Sequence, residues 1–390
     1  MSEWKKVKLG ELYEVYNGLS KGRQFFGSGY PFLTFSTVFN NYFLPKGLDS
    51  LVQSSEKERE ACSIRKGDVF ITRTSETMDE LGMSSVALRD YPNATYNGFT
   101  KRLRPITDKV IPEYIGYYLR SPKFRVKFMA FSSMTTRASL ANGDLLGMEV
   151  ELPSKEVQQR IATILSRYDS LIENYQKQIK LLEEAAQRLY KEWFVDLHFP
   201  GHEKTKIVDG VPEGWEKKKV GYLIAKSQRT KQVPANEYLK TGSIPVIDQS
   251  RNYIAGYTND DECLVSVTTP YIIFGDHTRV LKFIPFPFAK GADGTQLIMS
   301  NDLNRMPQSL FYNSLINIDL SNYSYARHFK YLKEEEIIVS TTDVSMKYDL
   351  LVSKYYQCIQ NNREQIHLLT EARDRLLPKM MSGEIEFNFK

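Results

Sequence analysis

Two stretches of the chain repeat apolar positions at steps that alternate between four and three residues, the seam of a helix that packs along its whole length. In residues 156–194 the seam runs Ile161, Leu165, Tyr168, Ile172, Tyr175, Ile179, Leu182, Ala186, Leu189 and Trp193. In residues 347–380 it runs Tyr348, Val352, Tyr355, Ile359, Asn362, Ile366, Leu369, Arg373 and Leu376. A helix of about 37 residues is roughly 55 Å long at 1.5 Å per residue. Neither helix buries its own stripe, so the simplest arrangement pairs them as an antiparallel coiled coil. Asn362 and Arg373 place polar groups in the second stripe, a means of fixing register at some cost in stability.

Elsewhere the period falls to two. Residues 66–72 (KGDVFIT), 84–88, 268–274, 280–288 and 295–299 read as short strands, punctuated by Gly, Pro and Asn. Short helices are expected at 112–129 and 307–315. The fold class is α/β in the α+β sense, with irregular, mostly antiparallel sheets. Two mixed domains, 1–153 and 201–345, alternate with long-helix segments at 154–200 and 346–390.

The second half repeats the first. A shift of 187 positions superposes the helices without a gap and makes Ile172/Ile359, Ile179/Ile366, Leu182/Leu369 and Leu189/Leu376 identical. Shared heptads would explain those. They would not explain Asn174/Asn361, Gln178/Gln365, Glu184/Glu371 and Arg188/Arg375, which match at outward positions. Trp4-Lys5-Lys6-Val7-Lys8-Leu9-Gly10 is echoed by Trp215-Glu216-Lys217-Lys218-Lys219-Val220-Gly221 at an offset of 211, and Ile111-Pro112-Glu113-Tyr114 by Met306-Pro307-Gln308-Ser309. One scaffold carries two different fillings.

Composition narrows the function by exclusion. The 390 residues are too many for one ordinary core. Cys62, Cys263 and Cys358 are scattered and far from any ligand spacing, so neither disulfides nor structural zinc are expected, and a reducing cytoplasm fits. The N-terminal residues lack the apolar core of a signal peptide, and no run of 18 apolar residues occurs. The net charge of +5 permits nucleic-acid binding without demanding it. No phosphate-binding loop, GxGxxG turn, HExxH or GxSxG motif is present, and Asp276-His277 alone is more readily a turn than a catalytic pair. Catalysis by this chain, with a cofactor or metal of its own, is therefore not expected.

Residues 158–169 (QQRIATILSRYD), then Arg188-Leu189-Tyr190-Lys191-Glu192-Trp193-Phe194-Val195-Asp196-Leu197 with Phe199-Pro200-Gly201, resemble the central region of the specificity subunits (HsdS) of type I restriction-modification systems. Arg375-Leu376-Leu377-Pro378-Lys379-Met380-Met381-Ser382-Gly383-Glu384-Ile385 does so near the C-terminus. The resemblance implies a non-catalytic subunit whose two variable domains each recognise one half of a bipartite double-stranded DNA target. It implies that the helices act as a ruler and dock two methyltransferase subunits, which carry S-adenosylmethionine and methylate adenine. Restriction subunits with ATP and Mg would join through them. The competing reading is a coiled-coil scaffold for protein partners.

Under that resemblance, base readout falls to loop side chains with donors and acceptors. In the first domain the candidates are Lys21, Arg23 and Gln24; Arg73, Thr74 and Ser75; and Thr135, Thr136 and Arg137. In the second they are Gln249, Ser250 and Arg251; Asp276, His277 and Arg279; and Tyr325, Arg327 and His328. The repeat places Arg73-Thr74 near Asp276-His277 and Arg137 near Arg327. Lys101, Arg102, Lys123, Arg125, Lys127, Lys226, Arg229 and Lys231 are expected to contact phosphates, which position without specifying. Residues 120–127 read equally as a solvated helix face, and any of the loop residues as ordinary surface.

Overall fold

The computed structural model describes residues 4–75, 80–131, 138–139, 141–226, 230–292, 294–323 and 327–385. They divide into two compact units, Met1–Glu173 with Ile366–Lys390, and Asn174–Gln365. Each long helix contributes one stretch to each unit.

In the first unit Val69–Thr72 is the inner strand of a four-stranded antiparallel sheet, between Thr100–Pro105 and Ser84–Val86, with Tyr13–Asn17 at the edge beyond Thr100–Pro105. A second sheet orders Leu51–Val52, Phe26–Leu33 and Thr95–Tyr96, the last pair parallel. The expected helix at 112–129 is two helices, Pro112–Arg120 and Pro122–Phe131, because Ser121 takes an extended backbone and its hydroxyl donates to Tyr118 O. These helices bury Tyr114, Tyr117, Tyr118, Phe124 and Phe128 against the sheet. Each such ring contributes about 1.5–3 kcal/mol by leaving water.

In the second unit Tyr271–Gly275 lies between Leu281–Ile284 and Thr295–Ile298, again antiparallel. A four-stranded sheet orders Gly256–Thr258, Ile244–Ile247, Phe288–Lys290 and Leu264–Val265, and here too one pair, Ile244–Ile247 with Phe288–Lys290, is parallel. The run expected as one strand at 280–288 breaks at its prolines into two strands in different sheets. Gln308–Ile316 forms the short helix.

The repeat seen in the sequence is a repeat of hydrogen bonds. Lys5–Lys8 pairs antiparallel with Glu149–Leu152, and Glu216–Lys219 pairs antiparallel with Glu336–Val339. Leu9 N then donates to Met148 O, and Val220 N to Glu335 O. The glycine that follows has the same purpose in both copies. A Cβ on Gly10 would lie 3.2 Å from Leu146 O, and one on Gly221 would lie 3.1 Å from Lys333 O. A side chain at either position would push the neighbouring backbone back by a few tenths of an ångström, so glycine suits the close approach.

The long helices span Lys155–Tyr190 and Thr342–Ser382. Of the seam residues, Ile161, Leu165, Val352 and Ile359 are fully buried, while Ile172, Ile179, Leu182, Leu189, Ile366, Leu369 and Leu376 are half-buried. In the first unit Ile161 and Leu165 share a core with Leu377, Met380 and Met381, and the Arg373 guanidinium meets Asp169 at 2.7 Å. In the second unit the stretches run antiparallel, Tyr348 donating to Ala186 O at 3.3 Å and Asn362 to Gln178 Oε1 at 3.2 Å. Both polar seam residues thus have polar partners, which satisfies buried donors at defined positions along the stripe.

The first helix ends in a wider turn, Lys191–Val195. It delivers Trp193 and Phe194 into the second unit's core, where the Phe194 ring lies 5.5 Å from Trp215 and 5.1 Å from Tyr348, centre to centre. Phe199 stacks 4.6 Å from the same tryptophan. Such aromatic contacts add about 0.5–1.5 kcal/mol each to burial.

Candidate nucleic-acid interface

The ends of the two inner strands are built alike. Thr72 pairs with Thr100, and Gly275 with Thr295. One residue on, Arg73 N donates to Phe99 O at 2.9 Å, and Asp276 N donates to Gly294 O at 2.7 Å. The candidate segments beginning at Arg73 and Asp276 therefore leave equivalent corners of equivalent sheets. What they carry differs.

In the second unit the corner is a turn held from below. Gln249 Oε1 accepts His277 N at 3.0 Å, and the Thr278 hydroxyl donates to Gln249 O at 2.6 Å. The Asp276 carboxylate accepts Phe329 N at 2.8 Å. Both ring nitrogens of His328 lie 2.9 Å from carbonyl oxygens, those of Asp276 and Tyr323. His277, Thr278 and Arg279 are left exposed, with Arg279 in a left-handed backbone (φ 60°) and its guanidinium donating to Tyr323 O. A non-glycine residue in that region costs about 1–2 kcal/mol, so the turn is held by its surroundings. Arg327 and Arg251 are exposed nearby in sequence, and Ser250 N is tied to Asp248.

Asp276 and His328, expected to touch bases directly, are 4% exposed and fully engaged. They shape the turn instead. Gln249 is likewise committed to that turn.

In the first unit Lys21 is held by Glu58 at 2.8 Å and donates to Gln53 O, while Arg23 and Gln24 are exposed. Glu58 also caps the helix Glu56–Ala61 by accepting Ser55 N. The Lys21 ammonium, then the Ser55 amide, hold the Glu58 carboxyl down to about 2. Arg73 is half-buried, and the Thr74–Ser75 backbone pairs with Ala138–Ser139. Lys101 is 5% exposed and donates to Asn142 Oδ1; burial first, then the Arg73 charge, pushes its pKa down.

Arg102 overturns its assignment as a phosphate contact. It is 2% exposed, donates to Ser63 O and Ala61 O at the end of a short helix, and lies 4.4 Å over the Tyr16 ring. Both cations lie on the strand Thr100–Pro105, Lys101 engaged by Asn142 and Arg102 by the segment at Ala61–Ser63. The basic helix run is also structural. Lys123 and Lys127 bind Glu151, Arg125 donates to Leu81 O, and Arg120 donates to the carbonyls of Val38, Phe39 and Ser84. Lys231 pairs with Asp260 and Glu262, while Lys226 is exposed. Thr135, Thr136, Arg137, Arg229 and Tyr325 lie outside the described residues.

Residues 1–184 match the type I restriction modification DNA specificity domain. Over 98% of its length the chain is 28% identical to the type I restriction enzyme MjaIX specificity subunit of Methanocaldococcus jannaschii, of which 94% is covered. Along its length the chain is thus similar to type I restriction enzyme specificity subunits. A further relative is the type I restriction enzyme HindI specificity subunit of Haemophilus influenzae, 28% identical over 54% of this chain and 45% of the relative. The fold is that of the type-I restriction-modification system S subunit from M. genitalium, with a TM-score of 0.60 over 97% of this chain and 96% of that one at 17% identity.

The chain also carries exposed residues at its two corners that sequence reasoning passed over, Phe99 in the first unit and Thr278 in the second. Alternation of apolar and polar positions gives no sign of either, since each sits in a turn. Among the described residues no group of three or more His, Cys, Asp or Glu is placed to hold a metal, and no helix is long and apolar enough to cross a membrane.

Proposed function

We propose that this specificity subunit reads a bipartite double-stranded DNA target, one half through each corner, for a type I restriction-modification complex. Side chains at the corners enter the major groove, with His277, Arg279 and Arg327 the readers in the domain at 201–345 and Arg23, Gln24 and Arg73 in the domain at 1–153. Lys226 contributes phosphate contacts that position the domain. The two long helices set the spacing between the half-sites and dock two methyltransferase subunits, through which restriction subunits join. The chain carries no chemistry of its own. S-adenosylmethionine belongs to the methyltransferase subunits, and ATP and Mg to the restriction subunits.

The observation that carries this reading is the pair of equivalent strand ends, Arg73 N to Phe99 O and Asp276 N to Gly294 O, which present different exposed side chains from one frame. A duplicated scaffold with unlike turns is what two unlike half-sites require. The test is selection of bound duplexes from a random pool by the chain assembled with its methyltransferase partners. Two short motifs at fixed separation are expected, and the double substitution His277→Ala, Arg279→Ala should relax only one of them. A continuous motif, or no sequence preference in the intact assembly, would return the protein-scaffold reading.

A further inference from the structure

Phe99 is 61% exposed, yet both polar groups of its backbone are hydrogen-bonded. Its carbonyl accepts Arg73 N, and its amide donates to Asn97 Oδ1 at 2.6 Å. On one side of it Gly98 N donates to Leu19 O at 2.9 Å, so close that a Cβ on Gly98 would lie 2.4 Å from Ser20 Oγ. On the other, Thr100 donates through both its amide and its hydroxyl to Asn97 O. Three segments of the candidate interface, 19–21, 73–75 and 97–101, therefore converge on one rigid tip, and the side chain at that tip is apolar. Scattered exposed rings need no explanation. This one occupies the corner where the second unit has Gly294, which offers only backbone.

We propose that Phe99 is a specificity-determining residue that reads the 5-methyl group of a thymine in the half-site of the first unit. The inference rests on the DNA-reading function proposed above. The major-groove edges of the bases offer donors, acceptors and one apolar group, the thymine methyl. A phenyl ring held at a fixed tip has nothing to give a donor or acceptor, and it excludes water from a methyl. The polar neighbours divide the work differently. Arg73, whose amide is bonded to Phe99 O, supplies donors from the neighbouring segment, and Lys21, bound to Glu58 and Gln53 O, keeps the 19–21 segment in place.

The test uses the chain assembled with its methyltransferase partners and a duplex carrying its selected target. Every thymine is replaced in turn by deoxyuridine, which removes the methyl and leaves the hydrogen-bonding edge unchanged. One position in one half-site should weaken binding about fourfold, the effect of one methyl group taken out of water. Phe99→Ala should weaken the unmodified target by at least as much and abolish the effect of deoxyuridine at that position. Its melting temperature should stay unchanged, because the ring is mostly in solvent. If every deoxyuridine is tolerated, if the effect persists in Phe99→Ala, or if the half-site sensitive to Arg73→Ala contains no thymine, the assignment to Phe99 falls while two-part recognition stands. Absence of any half-site preference in the wild-type assembly would sink both.

Discussion

The imidazole of His328 lies 2.9 Å from the main-chain oxygen of Asp276, 52 residues earlier in the chain, and its other nitrogen lies 2.9 Å from Tyr323 O. Removing the ring in His328→Ala leaves Asp276 O with only His328 N and Tyr323 O with only the Arg279 guanidinium, a loss of about 0.5–1.5 kcal/mol for the hydrogen bond removed. The melting temperature should fall, and discrimination at the second half-site should weaken with it. Arg327→Ala, one residue away and exposed, should relax the same half-site at unchanged melting temperature. Equal effects of both substitutions on stability would show that the buried histidine does not hold the turn.

The Asp169–Arg373 pair makes a separate forecast for the helices. Asp169 also accepts the Tyr117 hydroxyl, so the carboxylate joins a helix, the helical seam and the first core. Arg373→Ala strands a half-buried carboxylate and should destabilise by about 1–3 kcal/mol in thermal or urea unfolding. Adding Asp169→Asn should recover part of that loss. Independent, additive effects would mean the two groups do not interact in solution.

Glu58 provides a forecast in pH. Its carboxyl titrates near 2 in the folded chain, lowered by Lys21 and the Ser55 amide, against about 4.3 when unfolded. A folded value below the unfolded one means the link contributes fully above about 4.3 and is lost as pH falls towards 2. An NMR titration of the Glu58 carboxyl carbon should show a midpoint near 2, rising towards about 4.3 in Lys21→Ala. A wild-type midpoint at the ordinary carboxylate value would dissolve the link between Lys21 and the helix it caps.

The proposed ruler is tested by length. Inserting one helical turn in each long helix should lengthen the preferred distance between half-sites, read by repeating the duplex selection. An unchanged spacer would remove the helices from that role.

The long helices were legible because a heptad stripe is a property of one segment, and the repeat was legible because identical outward residues have no packing reason to match. Gly10 and Gly221 were visible as an echo, though only the backbone approach to Leu146 and Lys333 explains it. The interface was harder. Lys101 and Arg102 stand in a basic run that looks solvated, but their strand is covered, and the carbonyls that Arg102 satisfies come from residues about 40 positions away. Asp276 and His328 look like free loop groups for the same reason. Whether a polar side chain faces water or a buried carbonyl is decided by partners distant in sequence, which no local pattern encodes.

The strand pairs Lys5–Lys8 with Glu149–Leu152 and Glu216–Lys219 with Glu336–Val339 have one more consequence. In each, the chain enters and leaves the recognition fold on adjacent antiparallel strands, about 4.5–5.5 Å apart. A long helix starts shortly after each exit strand, at Lys155 and at Thr342. From the helix outward, everything between the two strands is a closed insertion on a gap of fixed width. Its length and contents can change without moving the helix that follows, so under the proposed function a new DNA word can be grafted whole, with the splice points at the two strands.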